Sequence, residues 1–212
     1  MKIIAVGMNY PQHNKEMNET LYKGTDPVIF LKADSSYLRD GKPFFLPDEL
    51  GRIEYEGEIV VRISRLGKGI ERRFAHRYYD AVSVGIDFTA RQMQQQFRQQ
   101  GLPWDLSKGF DGAAAIGTWV SVDELSHDAD EHSGMDNLKF RLERNGECVQ
   151  KGCSSEMKHG IDELIEYVSR FMTLRMGDVI FTGTPAGVGQ VAIGDRFAGF
   201  LGERKVLEIK VK

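Results

Sequence analysis

Glu54, Glu56 and Glu58 stand at alternate positions of Ile53-Glu54-Tyr55-Glu56-Gly57-Glu58-Ile59-Val60-Val61 and run into a β-branched apolar stretch. In a strand successive side chains point to opposite faces, so the three carboxylates project from one side. Like charges so close repel unless a cation gathers at least two of them. Oxygen-only ligation suits a hard divalent ion such as Mg²⁺ or Mn²⁺. Taken alone, the triplet is equally compatible with the solvated outer face of a half-buried strand.

Other segments offer complementary chemistry. Asp87 closes the apolar run Ala81-Val82-Ser83-Val84-Gly85-Ile86 and precedes a helical pattern over 88–100. It stands there either as a helix cap or as a third oxygen ligand aimed at Glu56 and Glu58. Arg91 and Gln94 follow at +4 and +7, which on a helix places them on Asp87's side as a clamp for a carboxylate-bearing substrate. His13 and Glu16 form an i, i+3 pair in a short helix after Gly7. A carboxylate that orients an imidazole makes a general base, although this spacing is also common on ordinary surfaces. Gly177 to Gly189 reads as a strand entering a glycine-rich turn, whose amides and threonine hydroxyls suit an oxyanion. It lacks the lysine and following helix of a phosphate-binding Walker A loop. Lys108, after the Gly101-Leu102-Pro103 turn, reads on its own as a surface charge.

The elements that must position these residues are mostly strands: 2–6, 27–32, 43–46, 55–64, 81–87, 113–121, 137–143, 178–182 and 205–211. Helical patterns cover 70–79, 88–100 and 158–173; in the last, Ile161, Leu164, Ile165, Val168 and Phe171 fall on one face. Strands do not alternate regularly with helices, which argues for a mixed α+β fold around a curled sheet rather than a Rossmann or TIM architecture. With 212 residues, 41% of them hydrophobic, the chain is sized for one domain, 1–212. A net charge of −3 gives no electrostatic footprint for nucleic acid or an anionic membrane, and no apolar run reaches the ~20 residues of a bilayer span. The first residues are apolar for too short a length to be an export signal, so the expected location is cytoplasmic, with Cys148 and Cys153 as reduced thiols near a hairpin turn at Asn145-Gly146. Ser126 to Met135, acidic and His-containing, is expected to be an exposed loop.

In combination the segments resemble the fumarylacetoacetate hydrolase family, and within it the short acylpyruvase and oxaloacetate decarboxylase branch. The resemblance runs through Gly7-x-Asn9-Tyr10-x-x-His13-x-x-Glu16-Met17, Phe30-Leu31-Lys32, Glu54-Tyr55-Glu56-Gly57-Glu58 and Asp87-Phe88-Thr89-Ala90-Arg91. It continues in Gly101-Leu102-Pro103-Trp104-x-x-x-Lys108-x-Phe110 and in Gly177-Asp178-Val179-Ile180-Phe181-Thr182-Gly183-Thr184-Pro185-x-Gly187-Val188-Gly189. It implies a mixed β-roll with a few peripheral helices, commonly dimeric, and a Mg²⁺ or Mn²⁺ site made by Glu56, Glu58 and Asp87, with Glu54 outside the ligand set. It also implies that residues 9–20 form a lid whose His13 and Glu16 activate water, that Lys108 contacts substrate, and that Arg91, Gln94 and Thr184 line the substrate pocket. The implied activity is metal-dependent cleavage of small 2-oxo acids, hydrolysing acylpyruvates or decarboxylating oxaloacetate through a pyruvate enolate. Three positions depart from the pattern: Met8 replaces a basic residue, Ala33 a proline and Gly109 a serine. Met8 keeps alternatives open within the family, an isomerase or decarboxylase of hydroxymuconate-type dioic acids or a 2-oxopentenoate hydratase. A non-catalytic 2-oxo-acid binding protein is the reading from another class.

Overall fold

The computed structural model describes residues 1–16, 24–127 and 135–212, with only the backbone for 14–16 and 126–127. Its main sheet is mixed and runs in the order β2 (Val28–Lys32), β1 (Ile3–Gly7), β12 (Val179–Phe181), β5 (Gly57–Ile63), β6 (Tyr79–Asp87), β8 (Ala114–Ile116), β3 (Tyr37–Arg39), with β9 (Val120–Ser121) also on β6. β1–β12 and β3–β8 pair in parallel, and the other neighbours are antiparallel. An antiparallel sheet of β11 (Glu147–Cys153), β10 (Lys139–Arg144), β14 (Arg196–Leu201) and β15 (Arg204–Lys210) lies beside it. A small third sheet joins β13 (Gly189–Gln190), β4 (Ile53–Tyr55) and β7 (Thr89–Ala90). The helices are short: α1 (Pro11–Glu16), α2 (Arg72–Ala75), α3 (Arg91–Gln100), α4 (Asp105–Lys108), α5 (Val122–His127) and α6 (Ile161–Phe171). None among the described residues is long and apolar enough to cross a membrane.

Strand alternation sorts the core. Ile4, Val6, Ile59, Val61, Ile63, Val82 and Val84 point to one face, which Ile161, Leu164, Ile165 and Val168 of α6 cover. The intervening Ile3, Ala5, Val60, Val179 and Phe181 form a cluster on the other face. A third cluster joins Tyr55, Ile86 and Phe88 to Phe197 and Leu207 of the second sheet, with Phe44 stacked on Phe88 at 4.0 Å. Each such buried side chain contributes about 1.5–3 kcal/mol, so the strands at the centre of the main sheet form a rigid base.

Several boundaries differ from the sequence expectation. The strand expected over 55–64 is broken at Glu56: residues before it belong to the small sheet and residues after it to the main one. The helix expected from 88 starts only at Arg91, because Thr89-Ala90 pairs with β4; Asp87 therefore ends a strand and caps no helix. The 43–46 run makes only an isolated bridge, Phe44 to Val211, between Pro43 and Pro47. The helix expected over 70–79 is a single turn, since Tyr79 already starts β6. The run 113–121 divides into β8 and β9. Of the loop expected at 126–135, Ser126 and His127 end α5 and Met135 opens a 3-10 turn, while 128–134 lie outside the described residues. The hairpin turn between β10 and β11 is at Asn145-Gly146, with φ of 55° and 85°, the type I′ signature. Cys148 and Cys153 are free thiols on the same strand. Five residues of extended chain separate them by roughly 16 Å, too far for a disulfide.

Candidate active site

Three carboxylates meet where the sheets join. Glu56 sits at the β4–β5 break, Glu58 is the second residue of β5, and Asp87 is the last residue of β6. Antiparallel pairing sets Gly57 opposite Ile86, and the Asp87 N–H donates to Glu56 O at 2.8 Å, which brings the Asp87 and Glu56 side chains to the same spot. One oxygen from each of Glu56, Glu58 and Asp87 lies within 4.8 Å of the others, and all three residues are buried.

Cations surround them. Lys108, at the end of α4, donates from Nζ to Glu56 Oε2 at 2.8 Å, Asp87 Oδ2 at 2.9 Å and Thr89 Oγ1 at 2.6 Å. Lys32, at the end of β2, places Nζ 2.5 Å from Asp87 Oδ1 and donates to the carbonyls of Lys108 and Ala113. Arg91, at the start of α3, donates to Glu54 and Gln94, each at 2.6 Å, and pairs with Glu56. Glu54 also meets Arg52 at 2.5 Å and stands outside the triad. Arg91 thus bridges Glu54 and Glu56, which share a side despite the strand break.

These contacts set the charge states. Burial pushes the Glu56 carboxyl up, but Lys108, Arg91 and His13 together outweigh it and hold Glu56 far below the ordinary carboxylate range. Glu58 moves the opposite way: burial first, then the charges of Asp87 and Glu56, raise it well above that range, against the Gly183 N–H that donates to Oε2 at 2.6 Å. Burial lowers Lys32 despite Asp87. Lys108 is raised because Asp87 and Glu56 overcome its desolvation. Carboxylates crowded closely enough to raise one of their number are what a metal-ligand set should show. Glu56, Glu58 and Asp87 offer carboxylate oxygens alone, with Asp87 Oδ1 facing Lys32 Nζ and Oδ2 facing Lys108 Nζ. The residues fit a hard divalent ion.

His13, Arg91, Gln94, Lys108 and Thr184 line the same pocket as the triad, with Met8, Phe30 and Trp104 as its apolar side. His13 is buried on α1. Glu16 ends the same helix, but its side chain, like residues 17–20 of the expected lid, lies outside the described residues. Lys108 is buried among carboxylates rather than on the surface. Lys32 and Thr89 also belong to the cluster, although sequence reasoning gave them no role. Thr89 was discoverable: two residues after Asp87 in extended chain, it shares a face with it. Gly183 was less so. Its φ of +98° suits glycine, and a Cβ would stand 2.8 Å from Asn9 Cβ. Gly183→Ala is expected to cost roughly 1–3 kcal/mol of stability through strain, read as a lowered melting temperature. An unchanged melting temperature would show that the turn relaxes freely.

Residues 2–212 match the family model described as fumarylacetoacetate (FAA) hydrolase C-terminal. The chain belongs to the fumarylacetoacetate hydrolase family. Among curated relatives, the mitochondrial oxaloacetate tautomerase FAHD1 of Arabidopsis thaliana is 38% identical over 206 residues, 97% of this chain and 88% of that protein. The mitochondrial oxaloacetate decarboxylase of Dictyostelium discoideum is 36% identical over 194 residues, 91% of this chain and 85% of the relative. Among solved structures, fumarylpyruvate hydrolase from Pseudomonas aeruginosa in complex with Mn²⁺ and pyruvate superposes with a TM-score of 0.89 at 30% identity, covering 100% of this chain and 89% of that one. The α+β fold around a mixed, curled sheet is therefore that of the fumarylacetoacetate hydrolase family, as the motifs had implied.

Proposed function

We propose that this chain is a divalent-metal-dependent enzyme that breaks the C3–C4 bond of small 2-oxo acids, hydrolysing acylpyruvates, decarboxylating oxaloacetate, or both. The observation that carries the reading is the convergence of Glu56, Glu58 and Asp87 within 4.8 Å in the pocket that His13 and Lys108 also line. The fumarylpyruvate hydrolase structure with Mn²⁺ and pyruvate, and relatives named for oxaloacetate chemistry, support it.

Glu56, Glu58 and Asp87 would hold Mg²⁺ or Mn²⁺, which when bound supplies Lewis-acid polarisation of the substrate's C2 carbonyl. Among the described residues the buried cluster carries four carboxylates (Glu54, Glu56, Glu58, Asp87) against three cations (Lys32, Arg91, Lys108). With all of them ionised its charge is −1, and a divalent ion brings it to +1, which matches a 2-oxo carboxylate. Lys108, kept protonated by Glu56 and Asp87, sets a fixed positive charge beside the C2 oxygen, where negative charge collects as the C3–C4 pair of electrons moves into the enolate. Arg91 and Gln94, locked to each other on one helix face, shape the pocket wall with Thr184.

For an acylpyruvate, His13 with Glu16 takes a proton from water as the oxygen attacks the C4 carbonyl. The C3–C4 bond then breaks to a carboxylic acid and the pyruvate enolate, which is protonated at C3. For oxaloacetate the same enolate forms by loss of CO₂, with no water attack. The reading takes the working form as a homodimer in the cytoplasm, checked by mass in solution and by localisation of tagged protein. The deciding experiment measures pyruvate from acetylpyruvate and oxaloacetate side by side, with Mg²⁺ or Mn²⁺ against a chelator. Metal-dependent pyruvate from either is expected. None from either, with metal bound, would end this reading and turn the search to dienol isomerisation.

A further inference from the structure

Gln150 sits on β11, in the sheet that does not carry the acidic triad, and it is buried. Along β10–β11, Leu142 faces Gln150 but Glu143 faces Cys148, so Val149 is an extra, bulged residue. A bulge bends its strand and re-aims the side chain next to it. Here that side chain is Gln150, whose amide reaches across to the backbone between Glu56 and Glu58. Its Oε1 accepts the Gly57 N–H at 2.8 Å. Its Nε2 donates to Thr184 Oγ1 at 2.8 Å and to Pro185 O at 3.0 Å. Thr184 Oγ1 in turn donates to Gly57 O at 2.8 Å.

Both polar backbone groups of Gly57 are thereby held, one by Gln150 directly and the other through Thr184. Gly57 is the link between Glu56 and Glu58, at the point where the chain passes from one sheet to another. The fit is close: a Cβ on Gly57 would stand 3.0 Å from Gln150 Oε1 and 3.2 Å from Leu142. We propose that Gln150 is a positioning residue that fixes the spacing of the Glu56 and Glu58 carboxylates and the orientation of Thr184, and so sets metal affinity from a neighbouring sheet. This rests on the divalent-metal reading of the site. Partners behind metal-binding side chains commonly govern affinity in this way, because a ligand set held loosely must be ordered by the ion itself.

The test is direct Mn²⁺ titration, followed by the electron paramagnetic resonance of the free ion, on folded wild type and Gln150→Met. Methionine keeps the length and apolar volume and removes all three hydrogen bonds. Leu207→Ala, in the core between the sheets and away from the pocket lining, is the control for lost stability. Gln150→Met is expected to raise the Kd for Mn²⁺ roughly 10- to 100-fold while Leu207→Ala leaves it unchanged. If Gln150→Met fails to fold, Thr184→Val cuts the same bridge from the other side and is expected to raise the Kd roughly tenfold. A folded variant with a lower melting temperature and the wild-type Kd overturns the proposal and leaves Gln150 a structural residue. Wild-type protein that takes up no Mn²⁺ overturns the metal reading itself, a result distinct from a variant that binds as wild type does.

Discussion

Asp87→Asn is expected to abolish pyruvate formation from oxaloacetate and acetylpyruvate alike, by about a thousandfold or more in kcat/KM. The Lewis-acid contribution lost with the metal is several kcal/mol, and about 4 kcal/mol corresponds to a thousandfold. Asparagine keeps the shape of the side chain and removes the charge that Lys32 and Lys108 share. Lys32 then has only carbonyl partners, and breaking a buried ion pair costs about 3–5 kcal/mol. The melting temperature should therefore fall with the activity, and Mn²⁺ should stabilise wild type and not the variant. Glu56→Ala should behave likewise, since it removes a triad oxygen and takes one ion-pair partner each from Arg91, which keeps Glu54, and Lys108, which keeps Asp87. An Asp87→Asn protein that binds Mn²⁺ as tightly as wild type and still makes pyruvate would remove Asp87 from the ligand set.

His13→Ala should separate the two reactions. Hydrolysis of acetylpyruvate needs water activated at C4, and loss of a general base costs roughly 10²- to 10⁴-fold. Decarboxylation of oxaloacetate expels CO₂ without attack by water, so its rate should change far less. The triad itself does not include His13, so Mn²⁺ affinity should stay close to wild type. The readout is the ratio of the two pyruvate-forming rates under one set of conditions, in which protein concentration and metal loading cancel. Equal losses in both reactions would contradict a separate role for His13 and place it instead in closing the pocket.

Glu54, Glu56 and Glu58 show how far local pattern reaches. Period-two spacing in an apolar strand put their side chains on one side, and the structure links Glu54 to Glu56 through Arg91 and sets Glu56 and Glu58 within 4.8 Å of each other. The same pattern did not reveal the break at Glu56, because the hydrogen bonds that decide whether a strand continues come from distant residues, Gly189 and Gln190 on one side and Ile86 on the other. The helix after Asp87 is the same lesson reversed. Thr89 and Ala90 pair with β4, a long-range contact that overrides the helical pattern and delays α3 to Arg91.

By itself, the amino-acid sequence determined the family and the strand-rich α+β class, because these depend on residue type, order and short spacing; Glu56, Glu58 and Asp87 were named together only through that family resemblance. Only the tertiary structure decided that Lys108 is buried between Glu56 and Asp87, that Lys32 joins it, and that Gln150 reaches Gly57 across 93 residues of chain. A lysine or glutamine looks solvated until the fold removes its water. Whether burial then leaves it paired depends on contacts between segments that no local spacing records.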